Sequence, residues 1–148
     1  MKYVHTNIIS DDWKRLAQFY IEVFHCSPVH PERDLSGEWL EKGTSVPDAH
    51  IRGIHLRLPG YSDQAPTLEI FQYDRNAEAL PAIPNRKGIG HLAFLVDDVE
   101  ETRRCVMSYG GQPVGEVVQH RVEGAGLLTF TYVKDPEGNI IELQRWEE

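Results

Sequence analysis

One short pattern occurs twice in this chain. A histidine stands among strand-forming residues, six positions ahead of an acidic pair that opens an amphipathic segment. The first copy is VHTNIISDDWKRLAQFYIEVF, with His5 and Asp11-Asp12. The second is GIGHLAFLVDDVEETRRCVMSYGG, with His91 and Asp97-Asp98. Aligned on the histidines, the two copies reach their acidic pairs without a gap. Self-similarity of this kind is the mark of a chain built from tandem copies of one supersecondary unit. The length of 148 residues suits one domain with a real core or two small fused modules. The repeat combines the two: one domain over residues 1–148, made of module one at about 1–75, a polar, proline-containing linker at 76–87, and module two at about 88–148.

Residues 2–9 predict a first strand of β-branched and aromatic residues. Ser10, Asp11 and Asp12 then offer N-cap oxygens, and their charge suits a helix N-terminus. Trp13, Leu16, Ala17, Tyr20, Val23 and Phe24 recur at three- and four-residue spacing, a stripe that predicts a helix packed on a sheet. Residues 25–50 hold three prolines and two glycines and read as irregular, with Trp39-Leu40 a short strand or an anchor. A segment of that length without a period is a substrate loop or lid, or an ordinary surface loop. Residues 51–58 and 67–73 predict a hairpin that closes the first module. In the second module, residues 90–96 predict a strand with His91 inside it. A helix then runs from Asp97-Asp98 through Met107, with Val99, Thr102, Val106 and Tyr109 on one face and Gly110-Gly111 as a left-handed stop. Further strands are predicted at 113–122, 127–133 and 140–146, with a sharp turn at 135–139 between the last two. Each module reads β-α-β-β-β.

The repeated histidines are matched by repeated glutamates in the closing strands: Glu69 follows His5 by 64 residues, and Glu142 follows His91 by 51. The longer interval contains the loop ahead of His50. Strand alternation puts His5 on a face with Tyr3, Asn7 and Ile9, Glu69 with Thr67 and Phe71, His91 with Ala93 and Leu95, and Glu142 with Ile140 and Gln144. Taken singly, each has an ordinary reading as a hydrogen-bonded strand histidine or a solvent-facing glutamate. If both modules share one fold, however, pseudo-symmetry makes His5 equivalent to His91 and Glu69 to Glu142. Two imidazoles and two carboxylates facing one hollow form a site for one divalent ion such as Ni, Co, Zn, Fe or Mn, with two octahedral positions left for water or substrate. A carboxylate in an apolar strand face is costly without a partner, and a metal is one way to neutralise it. His55 and Arg57 share a strand face and line the same hollow or face solvent. Arg57 is placed to meet a substrate carboxylate, and Arg52 lies on the opposite face. Tyr3, Asn7, Phe71 and Trp39 are candidate pocket walls. His25, His30 and His120 receive no role.

Composition excludes some partners. With 15 basic and 23 acidic residues, a formal charge of −8, the chain does not suit nucleic acid or an anionic membrane surface, which need clustered Lys and Arg. Cys26 and Cys105 stand alone, which fits a reducing, cytoplasmic setting better than a disulfide framework. Sheet edges on paired modules favour a homodimer, and the partner expected at the site is a small molecule.

The stretches VHTNIISDD, GIGHLAFLVDD and VKDPEGNIIELQ, and more weakly TLEIFQY, resemble the vicinal oxygen chelate superfamily. That superfamily includes glyoxalase I, methylmalonyl-CoA epimerase, fosfomycin-resistance enzymes, extradiol dioxygenases and bleomycin-resistance proteins. The resemblance covers nearly the whole chain. It implies an α+β fold in which two βαβββ modules in tandem form an open, cup-shaped mixed β-sheet around a divalent metal. The family's ligand positions match His5, Glu69, His91 and Glu142, and this pattern looks most like bacterial glyoxalase I, with methylmalonyl-CoA epimerase similar. The implied activity is that of a metal-dependent lyase or isomerase. A proton leaves the carbon next to a carbonyl, taken by Glu142 or Glu69, and the resulting enolate or enediolate is stabilised at the metal. The alternatives are an epimerase acting on a CoA thioester, an Fe(II)-dependent dioxygenase, and a non-catalytic drug-binding protein. Where glyoxalase I tends to have an Arg that helps hold glutathione, this chain has Ile9; where that family tends to have an Asn, it has Tyr73. Both departures count against glutathione as co-substrate.

Overall fold

In the computed structural model, which describes residues 1–62 and 64–148, Asp12 starts the first helix. Its carboxylate accepts a hydrogen bond from the Arg15 backbone N–H at 3.1 Å, satisfying one of the amide groups a helix leaves unpaired at its start. Helix α1 (Trp13–Phe24) follows. The whole predicted stripe is buried, and Phe19 is buried with it, its ring set edge-on against Tyr20 and Phe24. The helix lies on strands β3 (His50–Arg57) and β4 (Thr67–Tyr73). There Ile54, Leu56, Leu68 and Ile70 are all nearly or fully buried, each worth about 1.5–3 kcal/mol of apolar transfer. Alternation then turns His55 and Glu69 to the other face of the sheet.

The sheet order in this unit is β1-β4-β3-β2, with β1 (His5–Ile9) parallel to β4 and the other pairs, including β2 (Ser27–Ser36) with β3, antiparallel. Strand β1 begins at His5, later than residue 2. The larger correction concerns residues 25–50. They are not irregular: they form strand β2 (Ser27–Ser36) and a short helix α2 (Glu38–Thr44). Pro28 and Pro31 are tolerated in β2 because it is an edge strand, with a neighbour on one side only. The register also slips between Val29 and Arg33, as a bulge does. Of the pair Trp39-Leu40, Leu40 is the anchor, packed with Ala49, Ile51 and Phe71. Trp39 stays exposed and donates its indole N–H to the Ser36 carbonyl.

The second unit repeats the scheme. By contact density the chain divides into Met1–Glu78 and Ala79–Glu148. Asp98 caps helix α3 (Val99–Ser108) through the Glu101 N–H at 2.8 Å. The helix packs on β8 (Gly126–Lys134) and β9 (Ile140–Glu147). Val99 and Val106 are buried, Thr102 is half-buried, and Tyr109 falls just past the helix and is exposed. The sheet order is β5-β9-β8-β6, with β5 (Leu92–Leu95) parallel to β9 and β7 (Val118–Val122) also paired to β8. Residues 113–122 are not one strand. They split into β6 (Gln112–Pro113) and β7, because the N–H groups of Val114 and Gly115 converge on the Tyr132 carbonyl and break the ladder between them. His91 precedes β5 and is not inside it. At the turn before β9, the buried Asp135 carboxylate accepts from the Glu137 and Asn139 N–H groups and from the Asn139 amide at 2.8–3.0 Å.

The architecture is therefore α+β: two tandem modules in βαβββ order, the first with α2 inserted after its second strand and the second with its second strand divided, with two mixed sheets and no closed barrel among the described residues. No helix among those residues is long and apolar enough to cross a membrane.

One polar cluster ties the strand ends of the first unit. His50 Nε2 meets Asp34 Oδ1 at 2.7 Å, His50 Nδ1 meets Asp74 Oδ2 at 2.8 Å, and Arg52 adds a contact to Asp74 at 2.8 Å. The hydrogen bond to Asp34, then that to Asp74, raises the His50 pKa above 6.5, and the bond from His50 lowers that of Asp74 below 3.8. A raised histidine pKa stabilises the fold fully below the unfolded value and loses that contribution as pH rises through the folded one. A lowered aspartate pKa stabilises above its unfolded value and is lost in acid. The cluster thus acts in mildly acidic solution. His50→Gln should lower Tm more at about pH 5.5 than at about pH 8.5; an equal loss at both would show that the charge on His50 contributes nothing.

Candidate functional site

In the first unit, the parallel register sets Asn7 beside Glu69, and the antiparallel register sets His55 directly opposite it. All three project from the face turned away from α1. His5 Nε2 lies 3.3 Å from Glu69 Oε2, and the Asn7 amide donates to the same oxygen at 3.2 Å. His55 Nε2 reaches Glu69 Oε1 at 3.1 Å, and its Nδ1 meets the Thr67 hydroxyl at 3.2 Å. The Glu69 side chain is only 13% exposed. Burial lowers the His55 pKa, outweighing the opposite pull of the Glu69 charge, so the ring favours its neutral form.

The packing behind this cluster depends on Gly53. A Cβ there would collide with the Ile70 carbonyl and the Phe71 ring. With no side chain at 53, Phe71 lies across β3 and sets its ring edge-on to His55 at 5.6 Å between centroids.

In the second unit, His91 Nε2 lies 2.9 Å from Glu142 Oε2, with the Glu142 side chain 15% exposed. Tyr132 stands opposite Glu142 in the β8–β9 register, its ring 5.0 Å from that of His91 and 5.7 Å from that of Phe130. Burial, then the charge of Glu142, pushes the Tyr132 phenol above its ordinary pKa. Tyr132 thus holds the position in this unit that His55 holds in the first. Reading the sequence for identical residues misses it. The signal was available, however: the turn at 135–139 pairs Lys134 with Ile140, and two steps further along the hairpin lie Tyr132 and Glu142.

The other candidates fall in varied places. Tyr3 is exposed ahead of β1, its hydroxyl against that of Thr6. Arg57 is exposed at the end of β3, while Phe71 is buried in the cluster with Leu40. Arg52 pairs with Asp74, away from Glu69.

The donor chemistry of each pair fits a borderline divalent ion. Two ligands about 2.0–2.2 Å from one metal, at tetrahedral or octahedral angles, lie roughly 2.8–3.6 Å apart, and both His–Glu separations fall in that range. Among the described residues, no group of three or more His, Cys, Asp or Glu side chains is arranged to hold a metal ion.

Two tandem βαβββ units, each with a histidine at or just ahead of its first strand beside a glutamate on its last, define a class. The chain belongs to the Glyoxalase/Bleomycin resistance protein/Dioxygenase superfamily, whose family model it matches over residues 2–143. Among solved structures it is similar to a glyoxalase family protein from Bacillus cereus, at TM-score 0.77 and 22% identity, covering 100% of this chain and 94% of that one. It is also similar to a glyoxylase/bleomycin resistance protein/dioxygenase domain from Frankia sp. EAN1pec, at TM-score 0.64 and 14% identity, covering 99% and 98%. A third is a mutant of the fosfomycin resistance protein FosX from Listeria monocytogenes, solved with Mn(II) and 1S,2S-dihydroxypropylphosphonic acid, at TM-score 0.56 and 13% identity, covering 96% and 90%. At these identities the likeness establishes the fold. No curated protein matches the chain.

Gly53→Ala is expected to destabilise the protein by about 1–3 kcal/mol, the usual cost of overpacking a tight site. It should also displace Phe71 from His55. Denaturant unfolding checks the first effect and the aromatic proton shifts of Phe71 the second. An unchanged midpoint would mean that β3 has slack at this position.

Proposed function

We propose that this chain is a metal-dependent lyase or isomerase of the glyoxalase type, acting on the carbon next to a carbonyl of a small substrate. In this reading His5, Glu69, His91 and Glu142 are the ligands of one divalent ion per site, drawn from Ni, Co, Zn, Fe and Mn. The observation that carries it is the recurrence of a His–Glu pair at ligand spacing, the histidine at the start of the first strand in one unit and one residue ahead of it in the other. The Mn(II) in the FosX structure supports a divalent ion in this fold. When bound, the ion supplies a Lewis acid that offsets the charge building on the substrate oxygen as the proton leaves.

The two carboxylates are held differently. Glu69 accepts a hydrogen bond from Asn7 and has an imidazole nitrogen near each oxygen, His5 at 3.3 Å and His55 at 3.1 Å. Glu142 meets His91 through Oε2, and its other oxygen has no hydrogen-bond partner among the described residues. A carboxylate with one oxygen uncommitted is the better group to take a proton and return it. Glu142 is therefore the proposed base, and Glu69 the second candidate on the other side of the substrate. Phe130 and Tyr132 form an aromatic wall beside Glu142. The partner is a small molecule, and the working protein is a homodimer in the cytoplasm. The thiol of Cys26, buried and pushed up to about 12, is unreactive and suits a reducing compartment.

Elemental analysis of the purified protein is the first test. The expected result is about one divalent ion per site, lost in His91→Ala and Glu142→Ala. Glu142→Gln should lower exchange of the α-proton with D2O by about 100-fold or more, measured by NMR on 2-oxoaldehyde–thiol adducts and on acyl-CoA thioesters. Exchange on the thioester but not on the adduct selects the epimerase. Iron in the protein, with oxygen uptake on a catechol, selects the dioxygenase. A protein that takes up none of the five metals would sink the catalytic reading and leave a drug-binding protein.

A further inference from the structure

The sheet face that carries Glu142 continues past it. On the α3 side of β8 and β9, Val133, Ile141 and Leu143 are fully buried, so alternation turns Tyr132, Glu142 and Gln144 to the opposite face. One row beyond Glu142, the registers line up Leu95, Gln144, Phe130 and Val118 across β5, β9, β8 and β7. In the next row, Leu128 stands opposite Trp146. We infer that these residues form the wall that receives the non-reacting part of the substrate, and that this part is an uncharged aryl or alkyl group. The inference deepens the proposed function and rests on it.

Three observations carry it. The wall is apolar and open: Leu95 is 73% exposed, Val118 42% and Trp146 40%, with Leu128 and Phe130 half-buried. Successive rows lie roughly 7 Å apart, so the wall starts beside the glutamate and runs on for the length of a ring and a short chain. Next, no lysine or arginine of these strands lies on it. Arg121 and Arg145 project from the other face by alternation, Arg145 paired with Glu147. Lys134 lies on the far side of Glu142, opposite Ile140. His120, opposite Leu128, is exposed at the outer edge. A substrate tail bearing a carboxylate or phosphate would lose water on this wall and gain no fixed cation from it. Finally, the wall holds one placed donor. The Trp146 indole N–H can only donate, and it reaches Gln144 Oε1 at 2.9 Å. The Gln144 oxygen is thereby engaged, and its amide NH2 has no hydrogen-bond partner among the described residues. An apolar surface with a single placed polar group is the usual make-up of a small-molecule site, and this donor suits a substrate oxygen one row from Glu142.

The test is binding followed by NMR on the full chain. Two uncharged probes share a hydroxyketone: α-hydroxyacetophenone carries a phenyl group, and hydroxyacetone a methyl. The phenyl probe should bind at least about tenfold tighter, as burial of a ring predicts. It should shift the Leu95 and Val118 methyls and the Trp146 indole N–H. Val118→Lys, a change at an exposed position, should weaken the phenyl probe severalfold and improve binding of its para-carboxylate analogue. Equal affinity for the two probes, or shifts that miss all three residues, would overturn the inference. So would movement of those resonances with protein concentration in the absence of probe, which would show a second copy of the chain covering the face. The catalytic reading is separable. If the phenyl probe binds as expected but its hydroxymethyl protons exchange with D2O no faster than in buffer, with any of the five metals, the wall stands and the catalysis falls. If both probes exchange with equal kcat/KM and neither moves these resonances, the catalysis stands and the wall falls.

Discussion

A carboxylate set into the face of a sheet cannot remain without a partner. Glu69 and Glu142 are each less than one-sixth exposed, and a charge so far removed from water must be met by donors, neutralised by a proton, or coordinated. The two sheets are arranged around that demand. In each unit, a strand entering parallel to the glutamate strand carries a histidine to one carboxylate oxygen, and the strand on the other side brings a ring to within reach. The helix on the far face supplies the apolar packing that holds the glutamate strand in place. The polar face can then hold groups that would destabilise an ordinary core.

Much of this was legible in the chain itself, for identifiable reasons. Asp12 and Asp98 read as helix starts because a short acidic side chain at that place has one main use, and both act as caps. The apolar stripe of α1 was legible because burial is periodic. The turn at 135–139 was legible because proline and glycine restrict or extend the backbone where they stand. The His–Glu pairs emerged from repetition, since a coincidence of four residues is harder to dismiss than any one of them.

What stayed hidden depended on context. Prolines in residues 25–50 read as breakers, yet β2 accepts them because it has a neighbour on one side only. The pair Trp39-Leu40 read as a short strand or an anchor, and Leu40 is the one that faces inward; in so short a helix no period decides between adjacent residues. Gly53 drew no attention within its strand. Its role depends on Phe71, which lies on another strand and becomes its neighbour only once the register is set. Tyr132 escaped for a related reason: a search for matched residues cannot see the place where two copies have diverged.

The prolines of β2 have a further effect. An exposed sheet edge offers a row of N–H and C=O groups to any extended chain that meets it, and this is how sheets join end to end or gather into aggregates. Pro28 and Pro31 remove two of those N–H groups from β2, and the slipped register between Val29 and Arg33 bends the strand out of line. That side of the first sheet is thereby less open to strand addition. The sheet has a blunt end and a receptive one: growth by pairing is left to the edge formed by β1, the strand that carries His5.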